Sequence, residues 1–328
     1  VFPILKELAI AGSNLRKPTV VIFADVDRIQ MEDEISSRAG DLGKLRIITR
    51  KGDPTNPGDL VRANVGGSKS IIILDADDAG DATVVSTVLA VKSVVTDPSI
   101  PIVAEVDDAQ TGEALTSATR GQVQTVRSHD VIARVTAQAS RQPGLSTVIL
   151  DLLDFDGDEI YFSSVPALEG KTYGDALLAF NGASIIGVRD DKGAIHLNPK
   201  ASTKIGKGSQ FIAIAEDDDK VVYTGVVKAK APTVTGPKTT KRPAEHLLVV
   251  GWSSMGHSVI SELSAFLPKG STVHIVANPK YVDPAELKSL KFDGLAVSYS
   301  ASTGDIDELI AAAEAKHYDE VIVLGYRN

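Results

Sequence analysis

VVIFAD (Val20–Asp25), LRIIT (Leu45–Thr49), SIIILD (Ser70–Asp75) and IPIVAE (Ile100–Glu105) are short runs that are apolar on both faces. That is the pattern of parallel strands held between two helix layers. The segments between them read as helices: in Asp81 to Val95, the residues Val84, Val85, Val88, Leu89 and Val91 fall on one stripe at helical spacing. Strands alternating with helices in this way predict an α/β fold with a doubly wound, Rossmann-like sheet. The chain opens inside a helix, with Ile4, Leu5, Leu8 and Ala9 on one face of Val1 to Leu15. Such a sheet normally begins with a strand feeding that helix, so the expectation is that the first strand is missing.

Beyond Val126 the pattern changes. SHDVIARVTAQASRQ reads as a helix with Ser128 as its N-cap and Pro143-Gly144 as its stop. From Val148 to Val227 shorter strands are separated by turns such as Asp190-Asp191-Lys192-Gly193 and Gly206-Lys207-Gly208, with one short helix near Tyr173 to Phe180. This is a small α+β lobe. DFDGDE (Asp154–Glu159) reads as an exposed hairpin turn. KAKAPTVTGPKTTKRPAE (Lys228–Glu245) is rich in proline and poor in large apolar residues, as a linker is. A second βαβ pattern starts at HLLVVGW (His246) and runs through TVHIVAN (Thr272), LAVSYS (Leu295) and EVIVLGY (Glu320), with helices at Met255–Phe266 and Asp305–Ala315. The predicted division is therefore a Rossmann-like N-lobe with a crossover helix over 1–144, a C-lobe over 145–228, a linker over 229–245, and the start of a second Rossmann-like N-lobe over 246–328.

Composition narrows the function. The 328 residues are 43% hydrophobic and 23% charged, as in a water-soluble globular protein, and no run of 18 or more apolar residues is present. The absence of cysteine excludes disulfides and thiolate metal sites. A net charge of -9 argues against nucleic acid as a partner and makes cations the natural small ligands. Enzyme signatures are missing too. GWSSMG is not a nucleophile elbow, because its final glycine comes one residue too late, and the histidines are dispersed without ligand spacing.

Two kinds of candidate site remain. VVGWSSMG (Val249–Gly256) stands where a dinucleotide fingerprint would, so Gly251 and Gly256 are candidates to cradle the pyrophosphate of NAD or another nucleotide. Ser253 replaces the second glycine, and Asn278 stands where an acid would hold the ribose. The competing reading is a sharp turn that packs strand against helix. In the first half, Asp25 and Asp53 end successive strands at positions suited to ribose hydroxyls, although Asp25 can equally cap the segment that follows it. The other candidate is acidic: DADDAGD (Asp75–Asp81) and EVDD (Glu105–Asp108) follow neighbouring strands and share one sheet edge. Hard carboxylate oxygens suit calcium, and crowded carboxylates can couple cation binding to a change of shape. Solvated loop acids that cap helices are the alternative.

SHDVIARVTAQASRQPGLSTVILDLLDFDGDEIYF (Ser128–Phe162) closely resembles the corresponding stretch of the Castor/Pollux ion channel family. VIFADVDRIQMEDEI, RKGDPTNPGDL, HLNPK and FIAIAEDDD match in the same order, so the resemblance covers roughly Val1 to Asp219. It implies a homo-tetrameric cation channel whose paired RCK modules form a gating ring on the cytosolic side, with the missing strand leading to a transmembrane pore upstream. Plant members of the family serve at the nuclear envelope, whereas the composition here points to a bacterial inner membrane. By similarity to calcium-gated RCK potassium channels, Glu105 and Asp107 fall on an acidic ligand pair, with a third ligand at Asp78 or Asp81. Val131, Ile132 and Val135 are then candidates for contact between modules. Two other functions remain to be weighed: a nucleotide-sensing regulatory subunit of a potassium transporter, and an NAD-dependent oxidoreductase.

Overall fold

The structure, a computed structural model, describes residues 1–75, 80–227 and 242–326. The chain divides into two compact units, Val1–Leu145 with Lys241–Asn328, and Ser146–Thr240. The predicted linker lies largely outside the described residues.

The first part of the larger unit runs α1 (Phe2–Ala11), β1 (Thr19–Ala24), α2 (Arg28–Arg38), β2 (Arg46–Lys51), α3 (Pro57–Arg62), β3 (Ile71–Ile73), α4 (Asp81–Val94), β4 (Ile102–Glu105), α5 (Ala109–Ala118), β5 (Val123–Val126) and α6 (Ser128–Arg141). β1 and β2 pair in parallel, and β3, β4 and β5 form a second parallel set in that order. Ile102, Ala104, Val106 and Val123 are fully buried beneath Val84, Val88 and Val91 of α4. The stripe on α4 is narrower than its composition suggests. Leu89 is 59% exposed, because it lies about 100° round the helix from Val88. Two capping expectations are corrected. Asp27, not Asp25, caps α2, accepting the Ile29 N–H at 2.9 Å. α6 starts without a side-chain cap, because the Ser128 hydroxyl is drawn to another partner. α1 stops at Gly12, where a Cβ would come within 2.8 Å of Pro18.

The smaller unit contains α7 (Leu145–Asp151), β6 (Glu159–Ser163), α8 (Tyr173–Ala176), β7 (Phe180–Asn181), β8 (Ser184–Arg189), β9 (Ile195–Leu197), β10 (Gln210–Ala215) and β11 (Val222–Tyr223). Its main sheet is antiparallel in the order β6-β10-β8-β9, and Leu168, Tyr173, Ala176 and Phe211 fill its core. The buried Tyr173 hydroxyl donates to the Ile185 carbonyl at 3.2 Å, which satisfies the one polar atom of that ring. DFDGDE is not a hairpin turn: it joins helix α7 to strand β6.

The last part of the chain runs β12 (His246–Val250), α9 (Gly256–Ser264), β13 (Thr272–Ala277), α10 (Pro284–Ser289), β14 (Ala296–Ala301), α11 (Ile306–Glu314) and β15 (Glu320–Val323). Its sheet is parallel in the order β14-β13-β12-β15. This is half of a doubly wound sheet, with the first strand between the second and the fourth. Laid on this plan, β1, β2 and β3 correspond to β13, β14 and β15. No described element corresponds to β12, and β1 does not pair with β3 among the described residues.

Candidate functional site

The carboxyl end of β4 and the starts of α4, α5 and α6 come together around three acids. Asp81 opens α4, and its carboxylate accepts the backbone N–H of Asp107 at 2.8 Å and of Asp108 at 2.9 Å. Glu105 closes β4 and accepts the Ser128 hydroxyl at 2.8 Å. Asp107 Oδ1 lies 3.3 Å from His129 Nδ1. Asp108 caps α5, and the Thr111 amide and hydroxyl, helped by Arg127, hold its carboxyl below the usual carboxylate range. The topology thus brings Asp81, Glu105 and Asp107 to one edge, each with a protein partner. Asp78 lies outside the described residues. Among the described residues no group of three or more His, Cys, Asp or Glu is placed to hold a metal ion.

α6 starts at this edge and ends against the last part of the chain. Ala133 and Ala137 are buried in the core formed by Leu247, Val259, Ile260 and Leu263. Small residues on that face let α6 and α9 approach closely. Arg134 Nε sits 3.2 Å from Glu262 Oε1 on α9. Arg141 Nη1 lies 3.0 Å from Glu245 and 3.9 Å from Glu320, and these three side chains are only 11–19% exposed. Desolvated carboxylates need such a partner, and Arg141 supplies it to both, with the more exposed Arg242 3.9 Å from Glu245. Within the chain the alanines make this contact, and Val131 and Ile132, at 46% and 47% exposed, do not.

The nucleotide candidates separate. Gly251 has φ +80°, and a Cβ there would come within 2.0 Å of the Leu324 carbonyl oxygen. A Cβ on Gly256 would come within 2.7 Å of the Trp252 ring. Packing therefore already requires both glycines. Asn278 is engaged: its amide donates to the Thr303 carbonyl at 2.7 Å, and its Oδ1 accepts the Lys280 N–H at 2.9 Å. The buried Ser253 hydroxyl, in contrast, has no hydrogen-bond partner. In the first part Asp25 is exposed at the end of β1, and the Gly52 N–H donates to Ala24 beside it at 3.1 Å. Asp53 is tied down by the Thr55 hydroxyl and amide, which lower its pKa.

Residues 129–230 match a family model described as Castor and Pollux, part of voltage-gated ion channel. The chain is 32% identical over 274 residues to a probable ion channel POLLUX of Oryza sativa subsp. japonica, which covers 82% of this chain and 28% of the relative. It is 33% identical over 277 residues to the ion channel POLLUX of Lotus japonicus, covering 82% of this chain and 30% of the relative. Over this region the chain belongs to the Castor/Pollux family. It spans about a third of the length of these curated relatives or less. Among solved structures it is similar to the GsuK channel, at a TM-score of 0.46 and 16% identity, over 99% of this chain and 51% of that one. Among the described residues no helix is long and apolar enough to cross a membrane.

The Castor/Pollux match opens at His129, the residue that reaches Asp107. HDVI carries a family resemblance in the sequence, but only the fold shows that its histidine meets the acidic edge. Arg141, Glu245 and Glu320 were missed altogether. They lie 104 residues apart for the first pair, so no local spacing could have joined them.

Proposed function

We propose that this chain is the ligand-sensing region of a tetrameric Castor/Pollux-type cation channel, acting on the cytosolic face of a membrane, and that α6 is its transmission element. The observation that carries this reading is the double attachment of α6. Its first residues bind Glu105 and Asp107, and its later residues are fixed to α9, β12 and β15 by Ala133, Ala137 and Arg141. Kinship with Castor/Pollux channels supports the channel itself. The remainder of a full-length polypeptide supplies the pore in this reading. A strand preceding α1 and entering between β1 and β3 would give the first sheet the order of the second and lead to that pore.

The proposed ligand is calcium, taken by Glu105 and Asp107 together with Asp78 or Asp81. It must compete with Ser128, His129 and two backbone amides, so its binding loosens the start of α6. A tenfold preference for one state of the ring supplies about 1.4 kcal/mol per site, and four subunits add these contributions.

The tests are separable. The full-length polypeptide in planar bilayers should conduct cations, and silence there rejects the channel. Calorimetry should show calcium binding that Glu105→Gln with Asp107→Asn abolishes; equal affinity in both proteins rejects this ligand set alone. A second reading rests on the unpartnered Ser253 hydroxyl at the start of α9: a nucleotide phosphate on the Gly251–Gly256 turn would satisfy it. NAD titration of the wild type and Ser253→Ala decides that reading.

A further inference from the structure

We infer that the last part of the chain carries an oxyanion site at the amino ends of β12, β13 and β14, on the opposite edge of that sheet from the Gly251 turn. An open cleft of about 510 Å³ lies there, lined by His246, His274, Ser298, Lys316, His317 and Tyr318 among others. His246 Nδ1 is 2.8 Å from the Thr272 hydroxyl, and His274 Nδ1 is 2.8 Å from the Ser298 hydroxyl. Hydroxyls of the neighbouring strand thus fix both rings and leave Nε2 as the nitrogen each can offer to a ligand. Tyr318 stacks on His274 with ring centroids 6.4 Å apart and planes inclined by 13°, forming an aromatic wall.

Charge decides the ligand class. Lys316 is exposed and has no acidic partner among the described residues. Asp319, on the same loop, is committed to the His246 N–H at 2.7 Å and lies 3.9 Å from His317. Burial, and then the charge of Lys316, hold His274 below its ordinary pKa. A cation beside a histidine made reluctant to protonate is an arrangement that an anion relieves: one negative charge pairs with the ammonium and accepts a bond from the imidazole N–H. In a chain of net charge -9, the charged and titratable lining of this cleft is one lysine, three histidines and a tyrosine, with no carboxylate among them. Among the described residues no three His, Cys, Asp or Glu, these histidines included, are placed to hold a metal ion. A phosphate-type oxyanion, free or carried by a nucleotide whose base lies along Tyr318, fits the groups present.

The experiment follows the ring resonances of His274 by NMR in the 328-residue chain, with inorganic phosphate, adenosine monophosphate, or sodium chloride at matched ionic strength. Inorganic phosphate should raise the His274 pKa saturably by about one unit, against no saturable change with chloride. Lys316→Gln, an exposed substitution that leaves the fold intact, should lose that response. Tighter binding of the monophosphate supports a nucleotide as the source of the oxyanion, and equal binding supports the free ion. An unmoved His274 titration in the wild type, or an undiminished response in Lys316→Gln, overturns the site. Neither result bears on whether the full-length polypeptide conducts.

Discussion

The Asp81 carboxylate accepts the backbone N–H of Asp107 at 2.8 Å, and with its second oxygen that of Asp108, so one side chain of α4 sets the turn that follows β4. Each bond contributes about 1 kcal/mol net. Asp81→Ala should therefore lower stability by about 1–2 kcal/mol, and Asp81→Asn, which keeps one acceptor, by about half as much. Urea unfolding measures the loss. Hydrogen exchange should show faster exchange at Asp107 and Asp108 while β12 to β15 stay protected. Uniform loss of protection would mean that the strap does not act locally.

Arg141 stands between Glu245 and Glu320, and all three side chains are largely shielded from water. Arg141→Met keeps the length and apolar stem but leaves the Glu320 carboxylate without a cation, and leaves Glu245 only the more exposed Arg242, 3.9 Å away. The expected cost is about 3 kcal/mol. Arg134→Ala removes a bridge whose partners are 57% and 36% exposed, and should cost under about 1 kcal/mol. Thermal unfolding of the two variants checks the ranking, and equal losses would contradict the burial argument.

The alternation of apolar strand and helix was legible because parallel strands covered on both faces are written as continuous apolar runs, as SIIILD and IPIVAE are. The sheet edge that gathers Asp81, Glu105 and Asp107 was legible for the same reason: loops after neighbouring parallel strands share an edge. What each acid does there was not legible. Asp81 reads as a metal-ligand candidate in DADDAGD, but that its carboxylate also accepts two backbone amides was not legible, because those bonds depend on a turn 26 residues away. Gly251 and Gly256 matched a phosphate motif, although Leu324 and Trp252 already require them. The contact that α6 makes within the chain was not legible from hydrophobicity alone. Helices that pack closely favour alanine, and Val131 and Ile132 lie on the open side.

Acid should weaken the fold in two stages. Asp53, Asp97, Asp108 and Asp190 are held below their ordinary value of 3.8 by hydrogen bonds, first from the Thr55 hydroxyl, the Ser99 hydroxyl, the Thr111 amide and the His196 ring respectively. Glu308 is held below 4.5 by the Thr303 amide and then the Ser302 hydroxyl. A depressed folded pKa gives stability that is complete above the unfolded value and is lost as pH falls through the folded one. For these carboxylates the loss begins below about pH 4.5. His274, depressed from 6.5 by burial, acts with the same sign but starts earlier, as pH falls below 6.5. Unfolding midpoints measured from pH 8 to pH 3 should show a shallow decline and then a steep one. His274→Gln should remove part of the first and leave the second.

Gly251 carries the sharpest steric prediction. Its φ of +80° is strained for any side chain, and a Cβ would come within 2.0 Å of the Leu324 carbonyl oxygen. Leu324 cannot give way freely, because its N–H donates to the Val250 carbonyl at 2.8 Å and extends the pairing of β12 with β15. Gly251→Ala must therefore both strain its own backbone and push β15 from β12, at an expected cost of over about 3 kcal/mol. Gly294 has nearly the same φ, +74°, with nothing within 4 Å of its Cβ position. Gly294→Ala isolates the backbone strain and should cost about 1 kcal/mol. Urea unfolding of both variants gives the difference, which is the cost of the collision with Leu324. Amide exchange should place the damage at β15 in the first variant only, and equal losses in both would show that the two strands separate without penalty.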